Sequence, residues 1–193
     1  MADPDHERIL LELHNAMHQV HKATEIISHL RTFGRAISVS HESVDISQVI
    51  RSSLSLVQEQ LRLRQIEVKL LLEEEVFVMG NAIQLEQVFI NLLTNARDAM
   101  AHSTRKIITI GCTSQENEVE IRFCDTGTGI SAGLEQRIFD PFFTTKEVGA
   151  GTGLGLSITY GIIKEHQGTI VVENCPDGGA LFMIQLPFDQ DEK

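Results

Sequence analysis

The sequence predicts an α+β fold, a two-layer sandwich in which a mixed sheet of about five strands carries three helices on one face, with one long helix ahead of it. Three observations predict it. Helical and strand-like patterns come in runs, without regular βαβ alternation. Hydrophobic residues make up 42% of the 193 residues, enough for one ordinary domain with a sizeable core and an appendage. The opening pattern is helical, and it is too long for a small domain to bury.

That opening pattern runs over residues 7–35 without Gly or Pro until Gly34. Leu10, Leu13, Met17, Val20, Thr24, Ile27 and Arg31 step alternately by three and four, a heptad seam imperfect at Thr24 and Arg31. A helix of roughly 29 residues is about 43 Å long, so it is expected to pair with another helix, in its own chain or a partner's. Residues 36–44 (AISVSHESV) are small and polar and read as a linker. The expected organisation is therefore a long helix over 1–39 and a compact domain over 40–190.

Within that domain, Asp45 is placed to cap a helix through about Arg64, with Ile46, Val49, Ile50, Leu54, Val57 and Leu61 on its apolar face. Ile66 to Leu72 and Val76 to Met79 read as strands, and Ala82 to Ala101 as a second helix. Lys106 to Cys112 and Glu118 to Phe123 read as a strand pair. After a Gly-rich stretch, Asp125 to Gly155, a third helix spans Gly155 to Glu165. Thr169 to Glu173 and Ala180 to Leu186 are the last two strands.

Composition excludes several functions. The net charge of −11, from 27 acidic and 16 basic residues, argues against nucleic-acid partners and anionic lipid surfaces. No run of about 18 apolar residues exists, so no segment is expected to span or contact a membrane. The start, Met1-Ala2-Asp3-Pro4-Asp5, is acidic where a signal peptide would be basic. Cys112, Cys124 and Cys175 are odd in number and widely spaced, and read as small hydrophobes in a reducing compartment rather than a disulfide or zinc set.

Four motifs carry chemistry. In NLLTNARDAM, Asn91 and Asn95 lie one helical turn apart, opposite an arc of Val88, Phe89, Leu92, Leu93, Ala96 and Met100. Asn is a poor interior helix residue, so two on one face need a reason; a solvated polar face is one, a hard oxygen ligand for magnesium the other. Asp125-Thr126-Gly127-Thr128-Gly129-Ile130 puts a carboxylate at a strand end, able to accept from the exocyclic amine of adenine. GAGTGLGLS, Gly149 to Ser157, alternates glycines into a helix start, which suits phosphate binding but lacks the P-loop lysine spacing. FDPFFTTK, Phe139 to Lys146, clusters three phenylalanines between two glycine-rich motifs, where a mobile lid would lie.

In this order, within about 70 residues, the motifs resemble the N, G1, F and G2 boxes of the histidine-kinase catalytic domain. That domain belongs to the ATPase superfamily of DNA gyrase, the mismatch-repair ATPase and a heat-shock chaperone, with the Bergerat-type ATP-binding fold. The resemblance covers about residues 45–188 and is strongest to the nitrogen-regulator type of sensor kinase. It implies a cytoplasmic protein-histidine kinase of two-component signalling. The cofactors implied are ATP and Mg2+; the partners are a second copy, through the N-terminal helix, and a response regulator receiver domain.

By position, the resemblance implies Asn91 and Asn95 as catalytic residues, with Asn95 as the magnesium ligand. It implies Asp125 as the reader of adenine, in a pocket shaped by Gly127, Gly129 and Ile130. It implies Phe143 and Lys146 as ATP-binding residues of the lid, Gly151, Gly153 and Gly155 as the glycines that close over the phosphates, and Thr152, Leu154 and Leu156 as ATP-binding residues beside them. Two positions depart from the family pattern: Leu181 stands before Phe182 where many relatives have an adenine-binding Thr, and Asp98 stands where a basic or aromatic residue is frequent.

The family's phosphate acceptor is a His followed by an acidic residue, with Pro five after the His. No such pattern is present: His6-Glu7 is followed by Leu11, and Ala23 to Ala36 resembles the end of the hairpin's second helix instead. His14, His18 and His21 share one helix face and read as solvated rather than as a metal site. The chain is thus expected to bind Mg·ATP without efficient self-phosphorylation. Two other classes share the fold: an ATP-binding regulatory module, disfavoured by the intact Asn91 and Asn95, and an anti-sigma-type protein-serine kinase, disfavoured by FDPFFTTK.

Overall fold

The computed structural model describes residues 42–115, 117–146, 151–176 and 178–188, with Glu12 alone ahead of them. Apart from Glu12, which is helical, the long helix over 7–35 and its three histidines lie outside the described residues, as does most of the expected linker.

In chain order the elements are β1 (Glu42–Asp45), α1 (Ile46–Leu63), β2 (Glu67–Leu72), β3 (Phe77–Gly80), α2 (Ala82–Ala99), β4 (Ile107–Gln115) and β5 (Glu118–Asp125). A single 3-10 turn (Arg137–Phe139) precedes α3 (Gly155–Glu165), β6 (Thr169–Asn174) and β7 (Ala180–Pro187). The main sheet has the order β2-β4-β5-β7-β6, and β1 pairs with β3 in a separate two-stranded sheet. β2 runs parallel to β4, and the other main-sheet pairs are antiparallel, so the sheet is mixed as expected.

β1 corrects the linker reading. Glu42 to Val44 look polar and unstructured in sequence, yet Val44 is buried opposite Val78, and the strand pairs antiparallel with β3. Its partner lies more than 30 residues away, beyond the reach of local composition.

Local chemistry sets the helix ends. The Asp45 carboxylate accepts from Gln48 N at 3.2 Å and starts α1. Asn81 does the same for α2 through Gln84 N at 2.9 Å. α1 and α3 both finish with a glutamine in the left-handed region, Gln65 (φ 57°) and Gln167 (φ 58°). The following amides, Ile66 and Gly168, reach back to Leu61 O at 3.0 Å and Ile163 O at 2.9 Å, the hydrogen bonds of a Schellman ending.

The core lies between the helices and one sheet face. Ile108, Ile110, Ile121, Phe123 and Ile184 point there and are fully buried, as are Phe89, Leu92 and Leu93 from α2. Each such side chain contributes about 1.5–3 kcal/mol by burial. The opposite face carries the cross-strand row Leu71, Gly111, Arg122, Met183 and Val171. Of that row, Leu71 and Val171 are exposed large hydrophobics. No helix among the described residues is long and apolar enough to cross a membrane.

Candidate functional site

α2 is the spine of the site. Its apolar arc is buried, which turns Asn91 and Asn95 toward the start of α3. The Asn91 amide nitrogen donates to Gly155 O at 3.0 Å and to the buried Thr159 hydroxyl at 3.3 Å. A methyl group on Gly155 would stand 3.8 Å from Asn91 Cγ and 4.0 Å from Asn95 Nδ2, so both amides flank that glycine. Among the described residues, the Asn95 side chain makes no hydrogen bond, and Asn91 Oδ1 accepts none. Two hard amide oxygens are thus left for another ligand.

α3 begins without a side-chain cap, unlike α1 and α2. Its N-cap residue is Leu154, whose N–H is 3.4 Å from Thr152 Oγ1. Uncapped N–H groups at a helix start, with the positive end of its dipole, suit an anion. Leu154 is buried and Leu156 half-buried, so this start is anchored in the core.

Asp125 ends β5 with only 2% of its surface exposed. Its Oδ1 accepts from Gly127 N at 2.7 Å and Ala180 N at 3.4 Å. Burial raises the carboxyl above its ordinary pKa, against a partial lowering by those two N–H groups. Neither hydrogen bond uses Oδ2. Gly127 joins this carboxylate to α2, since a methyl there would lie 2.8 Å from Ala99 Cβ and 2.8 Å from Asp125 Oδ1. The first and second motifs therefore meet along adjacent turns of one helix.

The lid motif divides its phenylalanines. Phe139 packs 5.5 Å from Tyr160, and Phe143 lies 5.0 Å under the Arg137 guanidinium; both sit against the core. Phe142 is 72% exposed, with a φ of 67°. Gly153 (φ 67°) lies directly on the Phe142 backbone, where any β-carbon would overlap the peptide. Gly151 stands beside Thr144 and Lys146 in the same way, 3.2 Å from each with a methyl added.

Lys146 Nζ is bound to Asp98 Oδ2 at 2.7 Å. Burial alone would raise the Asp98 carboxyl, but hydrogen bonds and charge from Lys146 and Arg97 outweigh it and hold it below its ordinary pKa. The departure at Asp98 is thus complementary to the lid lysine. Leu181 is a departure of another kind. It is in register with Cys124, on the sheet face opposite the buried Asp125, and the residue beside that carboxylate is Ala180.

Three contributors were not legible in sequence. Asn174 clamps the second motif: its Oδ1 accepts from Ile130 N and its Nδ2 donates to Ile130 O, both at 2.7 Å. A methyl on Gly129 would come within 2.6 Å of the same Asn174 oxygen. Thr159 receives Asn91 from α3. Gly179 (φ 91°) brings the β6–β7 hairpin against Asp125, and a β-carbon there would overlap the Asp125 carbonyl. Gly179→Ala is expected to destabilise the fold by about 2 kcal/mol or more, read as a lower denaturant midpoint. The signal for Asn174 and Gly179 lies in the turn after β6 (NCPDGG), which reads as an ordinary hairpin loop.

Comparison with known proteins assigns the class. The histidine kinase-, DNA gyrase B-, and HSP90-like ATPase family matches residues 80–190, and the chain belongs to it, an ATP-binding family. The similarity runs to its sensor-kinase branch. The two-component sensor PprA of Pseudomonas aeruginosa is 38% identical over 88% of this chain and 19% of its own length. The nucleotide-free catalytic domain of the histidine kinase ThkA is 32% identical, with a TM-score of 0.70, over 77% of this chain and 96% of that one. The crystal structure of ThkA with the response regulator protein TrrA covers all of this chain and 55% of that one, with a TM-score of 0.78; at 24% identity it shares the fold. The chain spans between 19% and 24% of the first curated relatives it matches.

Proposed function

We propose that this chain is the phosphoryl-donating domain of a sensor histidine kinase, transferring the ATP γ-phosphoryl group to a histidine on a dimerising helical hairpin. The observation that carries the reading is the uncapped start of α3, faced by the two asparagines of α2. In this reading the adenine amine donates to Asp125, and the phosphates lie at the α3 start beneath Gly151, Gly153 and Gly155.

Asn95 would hold Mg2+ through its amide oxygen, with Asn91 as a neighbour. The donor set fits that ion: the two amide oxygens are hard and neutral and accept no hydrogen bond among the described residues, and magnesium keeps most of its waters. When bound, the ion neutralises charge on the phosphates. Asn91 fixes α3 against α2 and so aims its N–H groups. The lid, tethered by Lys146 to Asp98, excludes water from the transferring group. The receiving histidine is supplied from outside this chain. A response regulator receiver domain, a second copy paired through the N-terminal helix, and a cytoplasmic setting complete the proposal.

Calorimetry should show ATP binding that weakens when EDTA removes magnesium. The chain alone, given labelled ATP, should acquire little acid-labile phosphate. Rapid stoichiometric labelling of this chain would overturn the external acceptor, and absence of ATP binding would overturn the whole reading.

A further inference from the structure

Cys124 and Cys175 are far apart in sequence, yet their sulfurs lie 2.8 Å apart, and both thiols are free and half-exposed. Sheet register explains the meeting. Cys124 is opposite Leu181, which is opposite Glu173, so all three share the outer face. Cys175 follows two residues after Glu173 and comes back to that face. The pair therefore sits directly behind the candidate site: Cys124 precedes Asp125, and Cys175 follows Asn174, the clamp on Ile130. A disulfide needs an S–S distance of about 2.05 Å, less than 1 Å from where the sulfurs rest.

From this geometry we propose that Cys124 and Cys175 form a reversible redox pair whose disulfide loosens the Asn174 clamp and weakens nucleotide binding. The coupling to nucleotide rests on the reading given under Proposed function. Peroxide is the oxidant class. One thiol reduces hydrogen peroxide, giving a sulfenic acid and water. The second sulfur then attacks it, forming the S–S bond and releasing the hydroxyl as a second water. Both electrons go to the peroxide, and a dithiol reductant reverses the bond. Burial, then contact with Cys175, pushes the Cys124 thiol up to about 12, so its thiolate is scarce at neutral pH. Closing the bond draws Cys175 toward β5 on the outer face. Asn174 is bonded to it in the chain and faces the other way, so it turns from Ile130.

The test treats the whole chain with hydrogen peroxide, then alkylates and maps it by mass spectrometry. The expected result is an intramolecular Cys124–Cys175 disulfide with Cys112 still a thiol. The Ile130 amide should exchange faster, and ATP affinity should fall at least about fivefold, recovered with dithiothreitol. Cys124→Ala and Cys175→Ala should bind ATP like the reduced wild type and ignore peroxide. If both thiols stay alkylatable, or the disulfide forms only between chains, the proposal is overturned. A disulfide that leaves Ile130 exchange and ATP affinity unchanged overturns it equally. Failure of the reduced chain to bind ATP would sink the nucleotide reading, while mapping and amide exchange would still decide the redox pair.

Discussion

Asp125→Ala is expected to weaken ATP binding by about 10- to 100-fold, because a hydrogen bond to a charged group is worth about 1.5–3 kcal/mol. The same change strands Gly127 N and Ala180 N, which both donate to Oδ1. Stability should therefore fall too, by roughly 1–3 kcal/mol. Asp125→Asn separates the two effects. Its amide oxygen can still receive those N–H groups, but an NH2 replaces Oδ2 and opposes the adenine amine. D125N should lose most of the affinity and less of the stability. Unchanged calorimetric affinity in both variants would remove Asp125 from the nucleotide site.

The acid side of the pH profile gives a second readout. Burial raises the Asp125 carboxyl in the folded chain, so between the unfolded and folded pKa values the native state holds the extra proton. This group's contribution to stability thus declines as pH rises through that window and is relieved as pH falls. Nucleotide affinity should run the other way, since adenine prefers the ionised acceptor: it rises as pH climbs through the raised pKa. D125N should lack that limb, which separates it from titration of the nucleotide itself.

Asn95→Ala is the second large effect. Removing one preorganised charge-stabilising group typically costs about 100- to 1,000-fold in rate, and that loss is expected when a histidine-bearing hairpin is supplied in trans. The Asn95 side chain makes no hydrogen bond among the described residues, so the fold should be unchanged. ATP affinity of N95A in magnesium should drop to the value both proteins show in EDTA. Retained magnesium dependence would exclude Asn95 as ligand. Asn91→Ala differs, because it also breaks the bonds to Gly155 and Thr159 and loosens α3, at about 0.5–1.5 kcal/mol.

Much of the fold was legible because its signals are local. The cap at Asp45 works within three residues, and the start of α3 at Gly155 follows from apolar spacing after a glycine run. The glutamine endings of α1 and α3 were less so: the usual residue for a left-handed position is Gly or Asn, and here the hydrogen bonds of Ile66 N and Gly168 N back to Leu61 O and Ile163 O close both helices. β1 was missed because a four-residue strand is defined by its partner.

In the site, residue identity was readable and relation was not. Asn91, Asn95, Asp125 and the glycines of the third motif were singled out by type and spacing, and their roles came only from the order of the motifs and the family it resembles. The Lys146–Asp98 pair joins two motifs 48 residues apart, and it turned an apparent mismatch into a complementary contact. Leu181 looked like a loss at the adenine side until strand parity put it on the other face.

By itself, then, the sequence determined the three described helices, every strand but β1, the order of the motifs and the family they belong to, since periodicity, capping and motif spacing all act over a few residues. Only the tertiary structure decided which side chains meet: Asn174 on Ile130, Lys146 on Asp98, Cys124 beside Cys175. Those meetings depend on sheet register and helix docking, which no local stretch of chain encodes, because each is the joint outcome of packing distant segments into one core.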